Sequence, residues 1–251
     1  MRAVPTTAVL LHGNPDTYRV WDDVRVRLGD VPCVALNLPG FGCPIPEGFN
    51  ATKEEYVDWV IAQLRRQPGP VHLVGHDWGS LLTQRVAAIR PDLVRSWAGG
   101  GATVRTIKGW HDLARIWQTP GAGEAWMASL DVDAMAAVLV QRGVPPDYAR
   151  NAVDRMDALM KECILKLYRS ALEVGTEWED DLAHITSPGL ILWGELDPLR
   201  RAGSIDASCD ESSARTLVFA GCGHWWPIQR PSETAAALLD HWRAVEADHS
   251  P

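Results

Sequence analysis

The 251-residue chain contains no run of about 18 apolar residues, so no segment is expected to cross a membrane as a helix. No cluster of Lys or Arg offsets the net charge of −8, which argues against a nucleic-acid partner. The five cysteines, Cys33, Cys43, Cys163, Cys209 and Cys222, are odd in number, widely spread and without a C-x-x-C pair. They read as free thiols of a reducing compartment, so a disulfide framework is not expected. His12, His72 and His76 lack the spacing of a zinc site, and read as packed or turn histidines with no metal. Phe and Tyr are scarce, 3 and 4 against 12 Trp. Met1–Thr7 is too short and polar for a signal peptide, which predicts a cytoplasmic protein.

What is present is an alternation of apolar runs and helical periodicity. Ala8–Leu11, Cys33–Leu36, Val71–Val74, a run near Leu93 to Ala98, Gly189–Trp193 and Thr216–Phe219 read as buried strands. Between them, Asp16–Leu28 reads as a short helix, and Thr52–Glu55 is a capping box opening another. Pro231-Ser232 opens a final helix. This pattern predicts an α/β fold with a mainly parallel sheet covered on both faces. It breaks between roughly Val104 and Ser187, where helical periodicity runs without a convincing strand. We expect residues 1–103 and 188–251 to form the core and residues 104–187 a helical cap over the strand C-termini, where such sheets bind ligands.

Gly75-His76-Asp77-Trp78-Gly79 follows a strand and opens a helix, the context of a nucleophile elbow. An aspartate stands where a serine is usual. A carboxylate is charged at neutral pH and can displace a leaving group from an sp3 carbon, giving an ester that water can cleave. The expected chemistry is therefore alkyl transfer, with Asp77 as nucleophile. Such a nucleophile needs an oxyanion hole, a base for the hydrolytic water and a partner for that base. The backbone N–H groups of Asn14, in His12-Gly13-Asn14-Pro15, and of Trp78 are the candidates for the hole. His224, on a glycine-rich loop past the last strand, is the candidate base. Asp197 lies 27 residues before His224 and is its candidate partner, with Glu195 as competitor. This chemistry requires Asp77 ionised and His224 neutral. No cofactor is expected.

With these residues in view, the chain resembles the α/β-hydrolases that act through an aspartyl nucleophile, the group of epoxide hydrolases and haloalkane dehalogenases. The resemblance rests on the elbow, the His12–Pro15 loop, Leu38–Gly42 and the Asp197 and His224 loops. Members usually begin with a strand hairpin; only seven residues precede Ala8 here, so a six-stranded sheet is expected. Its uncovered edge makes a homodimer the candidate partner arrangement. Similarity to epoxide hydrolases extends to Cys222–Trp225, to Trp117–Ala125 and to Leu167-Tyr168-Arg169, where the family's Tyr-Arg pair implies Tyr168 as the acid that protonates an opening epoxide. The family's second cap tyrosine falls at Leu113, and Tyr148 is the residue that could stand in for it. Similarity to haloalkane dehalogenases lies at Asn14 and Ser80, which implies a halide held by the side chains of Asn14 and Trp78.

Trp78, Trp117, Tyr148 and Trp225 are the expected substrate contacts, and so many aromatics near one site point to a small apolar or aromatic substrate, with water as co-substrate. His111 is expected to be structural. The first expectation is epoxide hydrolysis to diols and the second dehalogenation. Rivals of other classes are a non-catalytic ligand-binding protein of the same fold and an esterase with an altered nucleophile.

Overall fold

A computed structural model describes residues 6–107, 109–200 and 214–248. Six strands form one sheet: β1 (Ala8–Leu11), β2 (Cys33–Leu36), β3 (Val71–His76), β4 (Val94–Gly100), β5 (Gly189–Gly194) and β6 (Arg215–Phe219). Their order is β2-β1-β3-β4-β5-β6, and every pair is parallel. The six-stranded sheet matches the expectation. Side chains alternate across the pleat. Val9, Leu11 and Leu73 pack into one core with the helices Lys53–Leu64 and Trp78–Ile89. Ala8, Leu10 and Val74 pack into a second core with the helices Asp22–Leu28 and Pro231–Asp248. Covered on both faces, the central strands are apolar throughout, as parallel sheets require.

Strand order reverses beside β1, which has β2 on one side and β3 on the other. In open α/β sheets the loops leaving such a point diverge and leave a crevice at the strand C-termini. The loop after β1 and the elbow after β3 therefore lie side by side, with Leu11 in register with Gly75.

The described residues between β4 and β5, from Val104 to His184, form helices and turns only. The longer helices are Val132–Gln141, Pro146–Asp154 and Ala158–Ser170. Asp131 and Asp157 cap two of them through their side chains. This segment is tied to the core by polar contacts. Lys53 Nζ donates to the Ser170 carbonyl at 2.7 Å, and Arg85 pairs with Asp181.

Two boundaries differ from expectation. Asp16–Leu28 is not one helix: a 3-10 turn over Tyr18–Trp21 precedes the α-helix Asp22–Leu28. The Asp16 N–H bonds the Gly13 carbonyl, and Tyr18 N–H bonds Asn37 Oδ1, so the chain is held in a loop until Thr17 caps the turn. β4 starts at Val94 because Pro91–Leu93 forms a 3-10 turn.

Candidate active site

Asp77 sits at the sharp turn between β3 and the helix Trp78–Ile89, with φ 54° and ψ −120°. A non-glycine residue at positive φ is uncommon and costs free energy, which the packing around it must offset. Two glycines make the turn closable. A Cβ on Gly75 would strike the Gly79 carbonyl, and one on Gly79 would strike the Leu11 and His12 carbonyls. The Asp77 N–H donates to the Gly100 carbonyl at 2.8 Å, anchoring the turn to β4.

The Asn14 backbone N–H donates to Asp77 Oδ1 at 2.8 Å, and the Trp78 N–H also favours the charged carboxylate. The two expected oxyanion donors thus meet at one carboxylate. Burial raises the pKa of Asp77 above the usual carboxylate range, while the nearby His224 charge and these N–H groups oppose that rise. Asp77 also lies at a helix N-terminus, where the backbone dipole favours an anion.

β5 and β6 lie side by side, and their C-terminal loops bring Asp197 and His224 together. His224 Nδ1 lies 2.9 Å from Asp197 Oδ2, and its Nε2 lies 3.7 Å from Asp77 Oδ2. Since an ionised carboxylate only accepts, Nδ1 carries the proton towards Asp197. Asp197 Oδ1 accepts from the Leu199 N–H, which fixes the carboxylate. Glu195 does not compete: its side chain accepts from the Gly221 N–H at 2.8 Å and braces the His224 loop. His76 Nε2 donates to the His224 carbonyl at 2.9 Å.

Burial pushes the pKa of His224 down, but the charges of Asp197, Asp77 and Asp16 and the Asp197 hydrogen bond outweigh it and raise the value to about 9. This corrects the expectation of a neutral His224. In the resting site it is a cation among carboxylates.

Asp16 is a site residue that the sequence reading missed. It is 2% exposed. The Tyr148 hydroxyl donates to its Oδ1 at 2.8 Å and the Trp225 indole N–H to its Oδ2 at 3.0 Å. Burial raises its pKa to about 6, against the pull of those two hydrogen bonds. A carboxylate directly after the Asn14-Pro15 dipeptide was the available signal. Tyr148 and Trp225, two of the expected substrate contacts, thus meet at Asp16, where the Tyr148 hydroxyl is engaged.

Tyr168, on the helix Ala158–Ser170, is 3% exposed. Its oxygen lies 3.4 Å from Asn14 Nδ2, which donates to it. Trp78, Trp110 and Trp117 surround its ring at centroid distances of 5.4, 5.0 and 5.0 Å. Burial raises its pKa above the ordinary value and the Asp77 charge adds to this, while Asn14 and Trp78 act in the opposite sense. The indole N–H groups of Trp78 and Trp117 are buried without a hydrogen-bond partner. His111 caps the helix Asp112–Gln118, its Nδ1 accepting from the Ala114 N–H at 3.2 Å.

His12 and His72 are buried packing residues: His12 Nε2 accepts from the Leu38 N–H and His72 Nδ1 bonds Ser96 Oγ. Among the described residues no cluster of His, Cys, Asp or Glu could hold a metal ion. Nor is any helix there long and apolar enough to cross a membrane. An open groove of about 550 Å³ on the helical segment, lined in part by Glu124, Met127, Leu165 and Arg169, includes none of the expected site residues.

A parallel sheet with helices on both faces and a strand–turn–helix elbow at its C-terminal edge defines the class of doubly wound α/β enzymes. The chain belongs to the alpha/beta hydrolase family, whose pattern matches residues 8–237. It is 34% identical over 92 residues to (E)-2-((N-methylformamido)methylene)succinate hydrolase of Acinetobacter baylyi, covering 36% of this chain and 35% of that protein. It is 28% identical over 166 residues to a haloalkane dehalogenase of Bradyrhizobium diazoefficiens, covering 58% and 51%. It is 27% identical over 148 residues to epoxide hydrolase 2 of Siraitia grosvenorii, covering 51% and 46%. The matched regions thus span a third to about a half of these relatives. The fold also matches the crystal structure of epoxide hydrolase VrEH1 from Vigna radiata, with TM-score 0.81, 18% identity and coverage of 96% and 92%.

Proposed function

We propose that this protein hydrolyses epoxides of apolar or aromatic compounds to diols through an ester on Asp77. Asp77 Oδ2, the oxygen not held by Asn14, attacks an epoxide carbon. The C–O bond breaks, and the epoxide oxygen takes its electron pair and the proton of Tyr168. Water then attacks the ester carbonyl carbon and gives a proton to His224 Nε2. The backbone N–H groups of Asn14 and Trp78 hold the resulting oxyanion. Its collapse expels the diol oxygen, which takes the proton from His224. The water oxygen and its second proton remain on the Asp77 carboxyl, which ionises by releasing that proton to the solvent, and Tyr168 recovers its own proton from the solvent.

Esterification removes the negative charge of Asp77, one of the charges that raise His224. The histidine therefore becomes a stronger acid, and so is freed to act as a base near neutral pH, once the ester has formed. A resting ion pair and a working base are thus compatible.

The observation that carries this reading is the position of the Tyr168 oxygen, against Asn14 Nδ2 and beside Trp78. In the dehalogenase reading those two side chains face a halide. Here a phenolic hydroxyl stands among them. The aromatic wall of Trp78, Trp110 and Trp117 supports an apolar substrate. Haloalkane dehalogenation remains the second reading, favoured by the unpartnered indole N–H groups of Trp78 and Trp117.

The mass of a trapped adduct tests the choice. His224→Gln should stall at the ester. With styrene oxide, Asp77 should gain the whole mass of the epoxide. With 1-bromobutane it should gain nothing. Addition of a butyl group without an epoxide adduct would overturn the epoxide reading. Absence of any adduct with either compound would favour a binding protein.

A further inference from the structure

The resemblance assigns epoxide opening to two tyrosines, yet the second position is Leu113 and the Tyr148 hydroxyl is committed to Asp16. We propose that the side-chain amide of Asn14 and the indole N–H of Trp78 act as the missing partner, cradling the oxygen of Tyr168 so that one tyrosine suffices. This inference rests on the epoxide reading.

An amide NH2 and an indole N–H only donate, so neither can take the phenolic proton. The Tyr168 oxygen accepts from Asn14 Nδ2, and among the described residues its own proton is given to no protein group. That proton is free for an oxygen of the substrate.

Asn14 serves two oxygens with two separate groups. Its backbone N–H holds Asp77 Oδ1 at 2.8 Å, while its side chain holds Tyr168 at 3.4 Å. The nucleophile and the acid are thus set relative to each other by one residue. The N–H of the Trp78 indole is buried and unpartnered beside the Tyr168 ring, where a negative oxygen would give it a partner.

Timing follows from the charges. In the resting site the Asp77 charge opposes a phenolate at Tyr168. Ring opening neutralises Asp77 in the same step that leaves the phenolate. The repulsion vanishes as the new charge forms, and the two N–H groups remain to hold it. Hydrogen bonds to a charged oxygen are stronger than those to a neutral one, so the cradle favours the state after proton transfer.

Asn14→Ala keeps the backbone N–H and removes only the amide, so it separates the two roles. Single-turnover formation of the styrene oxide ester, followed by intact mass, should slow by about 10- to 100-fold. Breakdown of the ester should keep its rate, because the oxyanion donors are backbone groups. Phenolate absorbance, with Tyr168→Phe subtracted to isolate this tyrosine, should show Tyr168 titrating at higher pH in Asn14→Ala. Trp78→Phe should shift it in the same direction. Should Asn14→Ala fail to fold, the isosteric Asn14→Asp serves. Its carboxylate would draw the phenolic proton to itself and slow ester formation at least as much. Wild-type ester formation in Asn14→Ala, with Tyr168→Phe slow, would overturn the cradle and leave the epoxide reading intact. No ester in the wild-type protein would overturn that reading, and the cradle with it.

Discussion

The Tyr148 hydroxyl donates to Asp16 Oδ1 at 2.8 Å, joining two residues 132 positions apart in the chain. One lies on the helical segment between β4 and β5, the other on the loop after β1. The bond therefore locks that segment onto the core beside His224. Asp16 is buried, so its carboxylate relies on this hydroxyl and on the Trp225 indole for solvation. Tyr148→Phe should destabilise the protein by roughly 1.5–3 kcal/mol at neutral pH, the range for a lost hydrogen bond to a charged group. The loss should shrink at pH 5, below the value of about 6 to which Asp16 is raised, because the protonated carboxyl needs less help. Urea unfolding at the two pH values checks this, and equal losses at both would show that the bond does not act through the charge.

His224 sets the pH dependence of stability at the alkaline end. Its folded value of about 9 lies above the ordinary 6.5, so the folded state holds its proton more tightly. The resulting stabilisation is complete below about pH 6.5 and is lost as pH rises through about 9. Stability should therefore fall by a few kcal/mol across this window. His224→Gln should flatten that part of the curve. Chemical denaturation at several pH values reads the slope directly.

The strands and the elbow were legible because their signals are local. Ala8–Leu11 and Cys33–Leu36 are short apolar runs bounded by turn residues, and both form strands with those limits. The glycines around Asp77 announce a turn that no larger residue can close. What stayed hidden depends on distant partners. Nothing near Asp16 says that Tyr148 and Trp225 converge on it. Nor does the sequence near His224 say that three carboxylates surround it and keep it protonated. The 3-10 turn at Tyr18–Trp21 escaped the helical reading because Asn37, from another loop, captures the Tyr18 N–H.

Asp197 is the leading cause of the raised His224 value and holds its Nδ1 proton at 2.9 Å. Asp197→Asn keeps an acceptor but removes the charge, and the amide can also settle with its NH2 towards the ring. Ring opening uses Asp77 and Tyr168 but not the histidine base, so the ester should form. Its hydrolysis should slow by on the order of 10³- to 10⁴-fold, the scale seen when a charged partner of a catalytic histidine is neutralised. Intact mass after mixing with styrene oxide should show an adduct that builds up and persists. Rapid turnover with no adduct would assign the role of partner to Asp16, the other carboxylate acting on His224.

Gly79 tests how closely the loop after β1 must approach the elbow. A Cβ there would run into the carbonyls of Leu11 and His12, which are backbone atoms at the end of a central strand and cannot swing aside. Gly79→Ala must therefore push the His12–Pro15 loop away from the helix Trp78–Ile89. Overpacking of this kind typically costs about 1–3 kcal/mol. The displaced loop carries the Asn14 N–H, now 2.8 Å from Asp77 Oδ1, so the oxyanion donor is lost along with stability. Losing one such donor is worth about 10²- to 10³-fold in rate. A lowered thermal midpoint together with slow ester hydrolysis is the expected pair of results. A variant that is destabilised yet hydrolyses the ester at the wild-type rate would show that the Asn14 N–H does not hold the oxyanion.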